Sequence, residues 1–212
     1  MKKTSLKTNP KKAISLLFPV NFSLLTFRCS LLTFLCSLLP FLSSAQSYLW
    51  AKSAGGSSDD IALSVSTDAN GNILVAGYFD SPTIIFGSTT LTNAGDYDMF
   101  LAKYDASGNV LWAKSAGGSD WDRASSVSTD ANGNILVAGS FQSPTIIFGS
   151  TTLTKAGSDN YADMFLAKYD ASGNVLWAKS AGGSSDDIAL SVSTDANGNI
   201  LVAGNFRSPT IS

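Results

Sequence analysis

From residue 61 onward, short runs of strand-forming residues alternate with polar clusters. In the first period the runs are ALSVST, ILVAGYF, DMFLAKY and VLWAKSA. Pairs of runs are joined by Asp-x-x-Gly-Asn, as DANGN at Asp68, Asp130 and Asp195 and as DASGN at Asp105 and Asp170. Aspartate suits the first place of a type I turn because its carboxylate accepts backbone N–H groups. Gly71, Gly108, Gly133, Gly173 and Gly198 follow three residues later. A left-handed backbone there lets the next strand turn back and pair. The pattern predicts four antiparallel strands per period, at 61–67, 73–79, 98–104 and 110–116 in the first. Between the second and third lies SPTIIFGSTTLTNAG, where Pro82 interrupts pairing and one short extra strand fits.

Alternation within the runs shows what the strands pack against. Ile73, Val75 and Phe79 face one way, while Leu74, Ala76 and Tyr78 face the other. Both faces are largely apolar, so the sheet has to be covered on both sides. Repetition supplies the cover. STDANGNILVAG occurs three times unchanged, at 66–77, 128–139 and 193–204, and Trp50, Trp112 and Trp177 mark periods of 62 and 65 residues. Four-stranded repeats that stack on one another are the blades of a β-propeller. The rival is a β-helix, whose rungs are shorter and need no tight hairpins.

The expected organisation is a leader at 1–45, a leading blade strand and loop at 46–60, repeats at 61–122 and 123–187, and part of a third at 188–212. The leading strand is the place for a terminal strand that closes a ring. A ring needs at least ~4 blades, so the chain reads as an incomplete one. Either it is a piece of a longer gene or several copies assemble. Open edges and apolar faces favour self-association.

The first 45 residues belong to a different physical class. Five lysines open the chain, an apolar run follows from 13 to 42, and Ser43-Ser44-Ala45 supplies small residues. This is the pattern of a secretory signal, expected as a helix cleaved near Ala45. A seven-residue stutter (SLLTFRC, SLLTFLC, SLLPFLS) lengthens the run, and the rival reading is an uncleaved membrane anchor. Arg28 and Pro40 favour cleavage. Neither Cys29 nor Cys36 follows a small residue, which argues against a lipid anchor. The protein is therefore expected to be secreted or at the cell surface, meeting a membrane only through this signal.

Without the leader the chain has no Cys, His or Glu, and sixteen Asp against six Lys and two Arg, a net charge of −8. Such a surface argues against nucleic acid as a partner. Stability has to come without disulfides.

AKYDASGNVLWAKSAGGSSDD followed by STDANGNILVAGYF resembles the bacterial seven-bladed β-propeller (SBBP) repeat over essentially all of 48–212. The resemblance implies an exported or surface-exposed propeller, often part of a much longer chain, and implies no catalytic residues.

Positions 50–95 and 112–157 differ at seven of 46 places: Ser58/Asp120, Asp59/Trp121, Ile61/Arg123, Leu63/Ser125, Tyr78/Ser140, Asp80/Gln142 and Asn93/Lys155. Three residues are also inserted near Asp159. The third copy carries Asn205 and Arg207 at the places of Tyr78 and Asp80. In an up-and-down blade nearly all of these fall on the side opposite the Asp-x-x-Gly-Asn turns. One reading is a ligand-binding face for a protein or glycan, built from Asp59, Tyr78, Asp80, Asp120, Trp121, Arg123, Gln142, Asn205 and Arg207, because loops on a rigid scaffold commonly carry recognition. The other is drift in long loops after duplication.

Other chemistry finds little support. Without His or Cys beyond the leader there is no Ser-His-Asp or Cys-His set and no ordinary zinc site. Asp59-Asp60 and Asp186-Asp187 recur at strand starts and read as caps or solvated groups rather than a glycosidase pair. Asp68-Ala-Asn70-Gly-Asn72 opens like a calcium loop, but Ile73 and Phe79 stand where that loop needs Gly and Glu. The tryptophan stripe reads as blade packing before a sugar platform. The expectation is a non-enzymatic binding scaffold without metal or cofactor. The alternatives are a structural spacer in a larger surface protein, or a calcium-binding or glycan-acting propeller completed by further blades.

Overall fold

In the computed structural model, which describes residues 49–157 and 160–211, each Asp-x-x-Gly-Asn segment is a tight turn organised by its own aspartate. At Asp68 one carboxylate oxygen accepts the backbone N–H groups of Asn70 and Asn72, both at 2.9 Å, and the other accepts the Asn72 amide at 2.8 Å. The same three bonds recur at Asp105, Asp130, Asp170 and Asp195. The turn glycines have φ between 76° and 82°. This is the left-handed region, where a Cβ is strained.

The turns join strands into blade-like sheets. The first repeat holds β1 (Asp60–Thr67), β2 (Ile73–Phe79), β3 (Thr83–Phe86), β4 (Thr89–Thr92), β5 (Asp98–Tyr104) and β6 (Val110–Ala116). The second holds β7 (Asp122–Thr129), β8 (Ile135–Phe141), β9 (Thr145–Phe148), β10 (Thr151–Thr154), β11 (Asp163–Tyr169) and β12 (Val175–Ala181). The third holds β13 (Asp187–Thr194) and β14 (Ile200–Phe206). β1-β2-β5-β6 and β7-β8-β11-β12 are four-stranded antiparallel sheets, and β13-β14 is a pair in the same register. The described residues are all β, and their sheets do not close a ring.

Two expectations are corrected. The insert between the second and third strands is a two-stranded hairpin, β3-β4 and again β9-β10, rather than one strand. Gly87 and Gly149, with φ near 60°, let it turn between its two short strands. It packs Ile84, Phe86 and Leu91 onto Phe79, Phe100 and Tyr104, so it covers a sheet face that would otherwise be wet. Residues 49–59 also form no strand, although a leading blade strand and loop were expected at 46–60, of which 46–48 lie outside the described residues. Such a strand needs a third-strand partner, and β5 and β11 are already paired on both edges. Trp50 nevertheless stacks on Tyr104 and donates from Nε1 to the Ala106 carbonyl at 3.0 Å. Trp112 of β6 makes the corresponding bond to Ala171 at 3.3 Å, so tryptophans of the stripe lock onto the turn of the following repeat. The expected signal helix lies in residues 1–45, outside the described residues.

Sheets stack through both faces. Leu74, Ala76, Met99 and Leu101 of the first pack against Val127, Ile135, Val137 and Phe141 of the second. Leu136, Ala138 and Met164 of the second pack against Ala189 and Val192 of the third. Full burial of such side chains contributes about 1.5–3 kcal/mol each. The outer faces of the end sheets lack this cover. Val65 is 68% exposed where its counterpart Val127 is 5%, and Leu201 is 57% exposed where Leu136 is 0%.

A bulge in the first strand of every repeat adds polar links. The register shifts between Ala62 and Ser64 and at the same place in β7 and β13. Gly77, Gly139 and Gly204 stand opposite, where an added Cβ would collide with the carbonyl of Ile61, Arg123 or Ile188. That is why the constant twelve-residue stretch ends in glycine. The serine at the bulge then reaches the next repeat: Ser64 Oγ accepts from Val127 N–H, and Ser126 Oγ from Val192 N–H, each at 3.1 Å.

A buried cation completes the stack. Lys103 on β5 pairs with Asp68 at 2.9 Å, both side chains 4% exposed, and donates to the Ala171 carbonyl of the following repeat at 3.2 Å. Burial by itself would raise the Asp68 pKa, but the bonds from Asn72, Lys103 and Asn70 outweigh it and hold the carboxyl at about 2. Lys168 repeats the pair with Asp130 at 2.8 Å, its side chain 20% exposed.

Two stability predictions follow from this framework. Lys103→Met strands a buried carboxylate and is expected to cost about 3–5 kcal/mol, with Lys168→Met costing less, read from urea unfolding midpoints. Gly133→Ala, with open space around it, is expected to cost only the left-handed backbone strain of about 1–2 kcal/mol. Gly173→Ala is expected to cost more, because its Cβ would lie 3.0 Å from the Trp112 ring.

Candidate functional site

All nine positions of the expected binding face lie at one end of the strands, away from the Asp-x-x-Gly-Asn turns. Asp59, Asp120 and Trp121 precede β1 or β7, and Arg123 is the second residue of β7. Tyr78, Asp80, Gln142, Asn205 and Arg207 end or follow β2, β8 or β14. Antiparallel pairing forces this, since the start of each first strand lies beside the end of each second strand.

Asp120 stays in its own loop, its N–H donating to Ser143 Oγ at 3.0 Å, and the structure sorts the other eight residues into three groups. Asp59 and Asp80 meet only through the backbone, Asp80 N–H donating to the Asp59 carbonyl at 2.9 Å. Arg207 pairs with Asp186 at 3.3 Å, with Asn205 on the same strand end. Tyr78, Trp121, Arg123 and Gln142 come together at the junction of the first and second repeats and just beyond it.

At that junction the Arg123 guanidinium lies 4.7 Å from the Tyr78 ring, 5.0 Å from Tyr97 and 4.7 Å from Trp121. The rings are mutually edge-on, Tyr78 to Tyr97 at 5.3 Å and Tyr97 to Trp121 at 5.5 Å. Each cation–ring contact contributes about 0.5–2 kcal/mol, more as water is excluded. A backbone bridge between Tyr97 and Trp121 seats the rings, with Asp122 N–H donating to the Tyr97 carbonyl at 2.7 Å. Tyr97 was missed in the sequence because it sits beside a length difference. Aligning the copies on DMF places it opposite Ala162.

Buried aspartates lie beneath this cluster. Asp122 is fully buried and accepts from Ser143 Oγ at 2.6 Å and Ser143 N–H at 3.3 Å. Asp98 accepts from Ala94 N–H at 2.9 Å, while its Oδ1 is buried without a partner. Burial pushes the Asp98 carboxyl up to about 6. Burial, reinforced by the charge of Asp98, pushes Asp122 to about 6 as well. Asp163, at the next junction, is raised by burial and then by Asp187. Asp60 likewise caps Gly56 and Ser81 through hydrogen bonds, while Asp59 is exposed. These groups brace loops, and among the described residues no three His, Cys, Asp or Glu side chains are placed to hold a metal ion.

At the junction of the second and third repeats the two tyrosines have no counterpart. Ser140 and Ala162 stand in their places, and a cleft of about 210 Å³ opens beside Trp121 and Arg123, bounded by Gln142, Asp186 and Ile188. Residues 158 and 159 of the insertion, including Asp159, lie outside the described residues.

No family model matches the sequence. The chain is 30% identical over 190 residues to an uncharacterized WD repeat-containing protein of Acanthamoeba polyphaga mimivirus, across 77% of this chain and 14% of that protein. It is 28% identical over 163 residues to the regulatory protein FlaEY of Caulobacter vibrioides, across 76% of this chain and 17% of that protein. It thus spans only a small part of either relative. A crystal structure of a protein of unknown function from Bacteroides caccae aligns over 67% of this chain and 38% of that one, at 16% identity and a TM-score of 0.34. Similarity to a WD repeat-containing protein agrees with the repeated blade-like sheets, and the described chain is a propeller-like repeat domain.

The buried acids carry a pH dependence whose sign is determined. Asp98 and Asp122 hold protons more tightly folded than unfolded, so their stabilisation is full below about 4 and lost as pH rises through about 6. Asp68 and Asp130, held at about 2, act in the opposite sense and lose theirs as pH falls from about 4 towards 2. Thermal melts are expected to show a Tm maximum near pH 4, with a decline between about pH 4 and 6. Asp98→Asn is expected to flatten the decline between about pH 4 and 6.

Proposed function

We propose that the protein is an exported propeller of the SBBP-repeat type that acts as a non-catalytic binding scaffold for a protein or glycan. One observation carries the reading. Three of the positions that distinguish the copies, Tyr78, Trp121 and Arg123, converge with Tyr97 in a single packed cluster, while the surrounding framework is repeated without change. Unrelated drift at separate loops gives no reason for an arginine and three rings to meet. Aromatic and arginine side chains are also the types that dominate recognition surfaces. The face stands on a stack braced by hydrogen bonds and buried pairs, so its loops are presented with little ordering cost. Export rests on the leader pattern in residues 1–45. The outer faces at Val65 and Leu201 are surfaces on which further blade-like units, in the same chain or another copy, are expected to stack.

The test is a screen of glycan and peptide panels with the wild-type protein, repeated with Trp121→Ala and Arg123→Ala. Both variants are expected to lose the recovered binding while Tm falls by only a few degrees, since Trp121 is 44% exposed. Binding that survives both substitutions would refute the assignment of the face.

A further inference from the structure

The cleft between the second and third repeats pairs an open aromatic surface with an arginine that lacks an acceptor. Among the described residues none accepts a hydrogen bond from Arg123 or forms an ion pair with it, and its Nε is buried without a partner. None of the nearby carboxylates pairs with Arg123: Asp98 keeps a buried Oδ1 without a partner, and the others are engaged elsewhere. Asp122 is held by Ser143, Asp120 accepts from Ser119 Oγ at 3.0 Å, and Asp186 takes Arg207 at 3.3 Å and Ala162 N–H at 3.1 Å. The rings of Tyr78, Tyr97 and Trp121 surround the guanidinium. The guanidinium carbon lies over all three rings, which offer it their faces and no carboxylate, so the terminal N–H donors of Arg123 remain open to one. A carboxylate matches that fork with two parallel bonds.

The rest of the cleft narrows the ligand. Trp121 is 44% exposed on its border, a flat apolar surface of the kind that a sugar ring stacks on. Ser140 and Gln142 add a hydroxyl and an amide, able to donate to and accept from sugar hydroxyls. The volume of about 210 Å³ is small for a ligand pocket and suits one ring rather than a chain of them. A net charge of −8 beyond the leader repels polyanions, so the acid should be single. An aspartate or glutamate side chain would satisfy Arg123 but leave Trp121 uncovered, which favours a sugar over a peptide.

We propose that this cleft binds a single uronic acid residue of an otherwise neutral glycan, with the carboxylate on the edge of Arg123 and the ring against Trp121. The proposal rests on the reading of this face as a binding face and names its ligand class. The arrangement is absent from the preceding junction, where Tyr78 and Tyr97 fill the corresponding space.

The experiment is calorimetric titration of the full chain with glucuronosyl-xylose, its neutral counterpart glucosyl-xylose, and a short peptide containing one glutamate. Wild-type protein is expected to prefer the acidic disaccharide over both others by at least about tenfold, a difference of about 1.4 kcal/mol. Arg123→Gln is expected to abolish the preference. Because Arg123 is packed among rings, a second variant leaves it in place: Ser140→Tyr introduces the ring that the first repeat carries at this position and is expected to block the cleft. Equal affinity for the neutral sugar or the peptide, no detectable binding of the acidic disaccharide, or undiminished binding by Ser140→Tyr would overturn the proposal. If such a result comes with panel binding that still depends on Trp121, the uronic acid assignment alone falls. If panel binding is indifferent to Trp121 and Arg123, the binding face falls with it.

Discussion

A lysine buried between two repeats has to be neutralised where it lies, and Asp68 does this while also organising its own turn. The carboxylate holds Asn70 and Asn72 in the turn and Lys103 in the sheet, and Lys103 reaches on to the Ala171 carbonyl of the next repeat. Local turn geometry, sheet register and stacking are therefore coupled through one side chain. Trp112 Nε1 donates to the same Ala171 carbonyl, so a single backbone oxygen receives both the cation and the ring of the preceding sheet. The invariance of the turn and strand sequences has a direct cause in this sharing, because a change in any partner leaves a buried polar group without its mate.

The framework also explains where variation is tolerated. At the turn end, Lys103, Trp112 and Thr129 each bond to a neighbouring repeat. At the opposite end the strands terminate in loops whose backbone is braced by aspartates and serines, Asp122 with Ser143 and Asp187 with Ser208. The Asp122–Ser143 brace adjoins positions 121, 123 and 142, so those side chains change without disturbing the loops that present them. The result is two junctions with the same backbone and different surfaces, one filled by Tyr78 and Tyr97 against Arg123, the other open beside Arg123 and Trp121.

Stacking by repetition has a physical consequence at the ends. Every sheet buries one face on its predecessor and the other on its successor, and the end sheets retain one uncovered apolar face each. The β3-β4 hairpin and Trp50 cover part of the first sheet, which is why Phe79 and Phe86 are buried while Val65 is not.

The sequence by itself determined the strands, their turns and their stacking, because these depend on local chemistry repeated several times. Asp and Gly at set spacing specify a turn, and apolar residues on both faces of a strand require neighbours on both sides. It also located the variable face, since antiparallel pairing puts the ends of neighbouring strands together. The β3-β4 hairpin was less legible, because two four-residue strands carry too few alternating positions to separate them from one. The role of residues 49–59 was not legible, since VLWAKSA-like sequence forms a strand only beside an unpaired edge. Only the tertiary structure brought Tyr97 to Arg123, left the Arg123 Nε without an acceptor and opened a cleft beside Ser140. Those features arise between repeats, from side chains far apart in the chain, and no periodicity within one repeat encodes the distance between two of them.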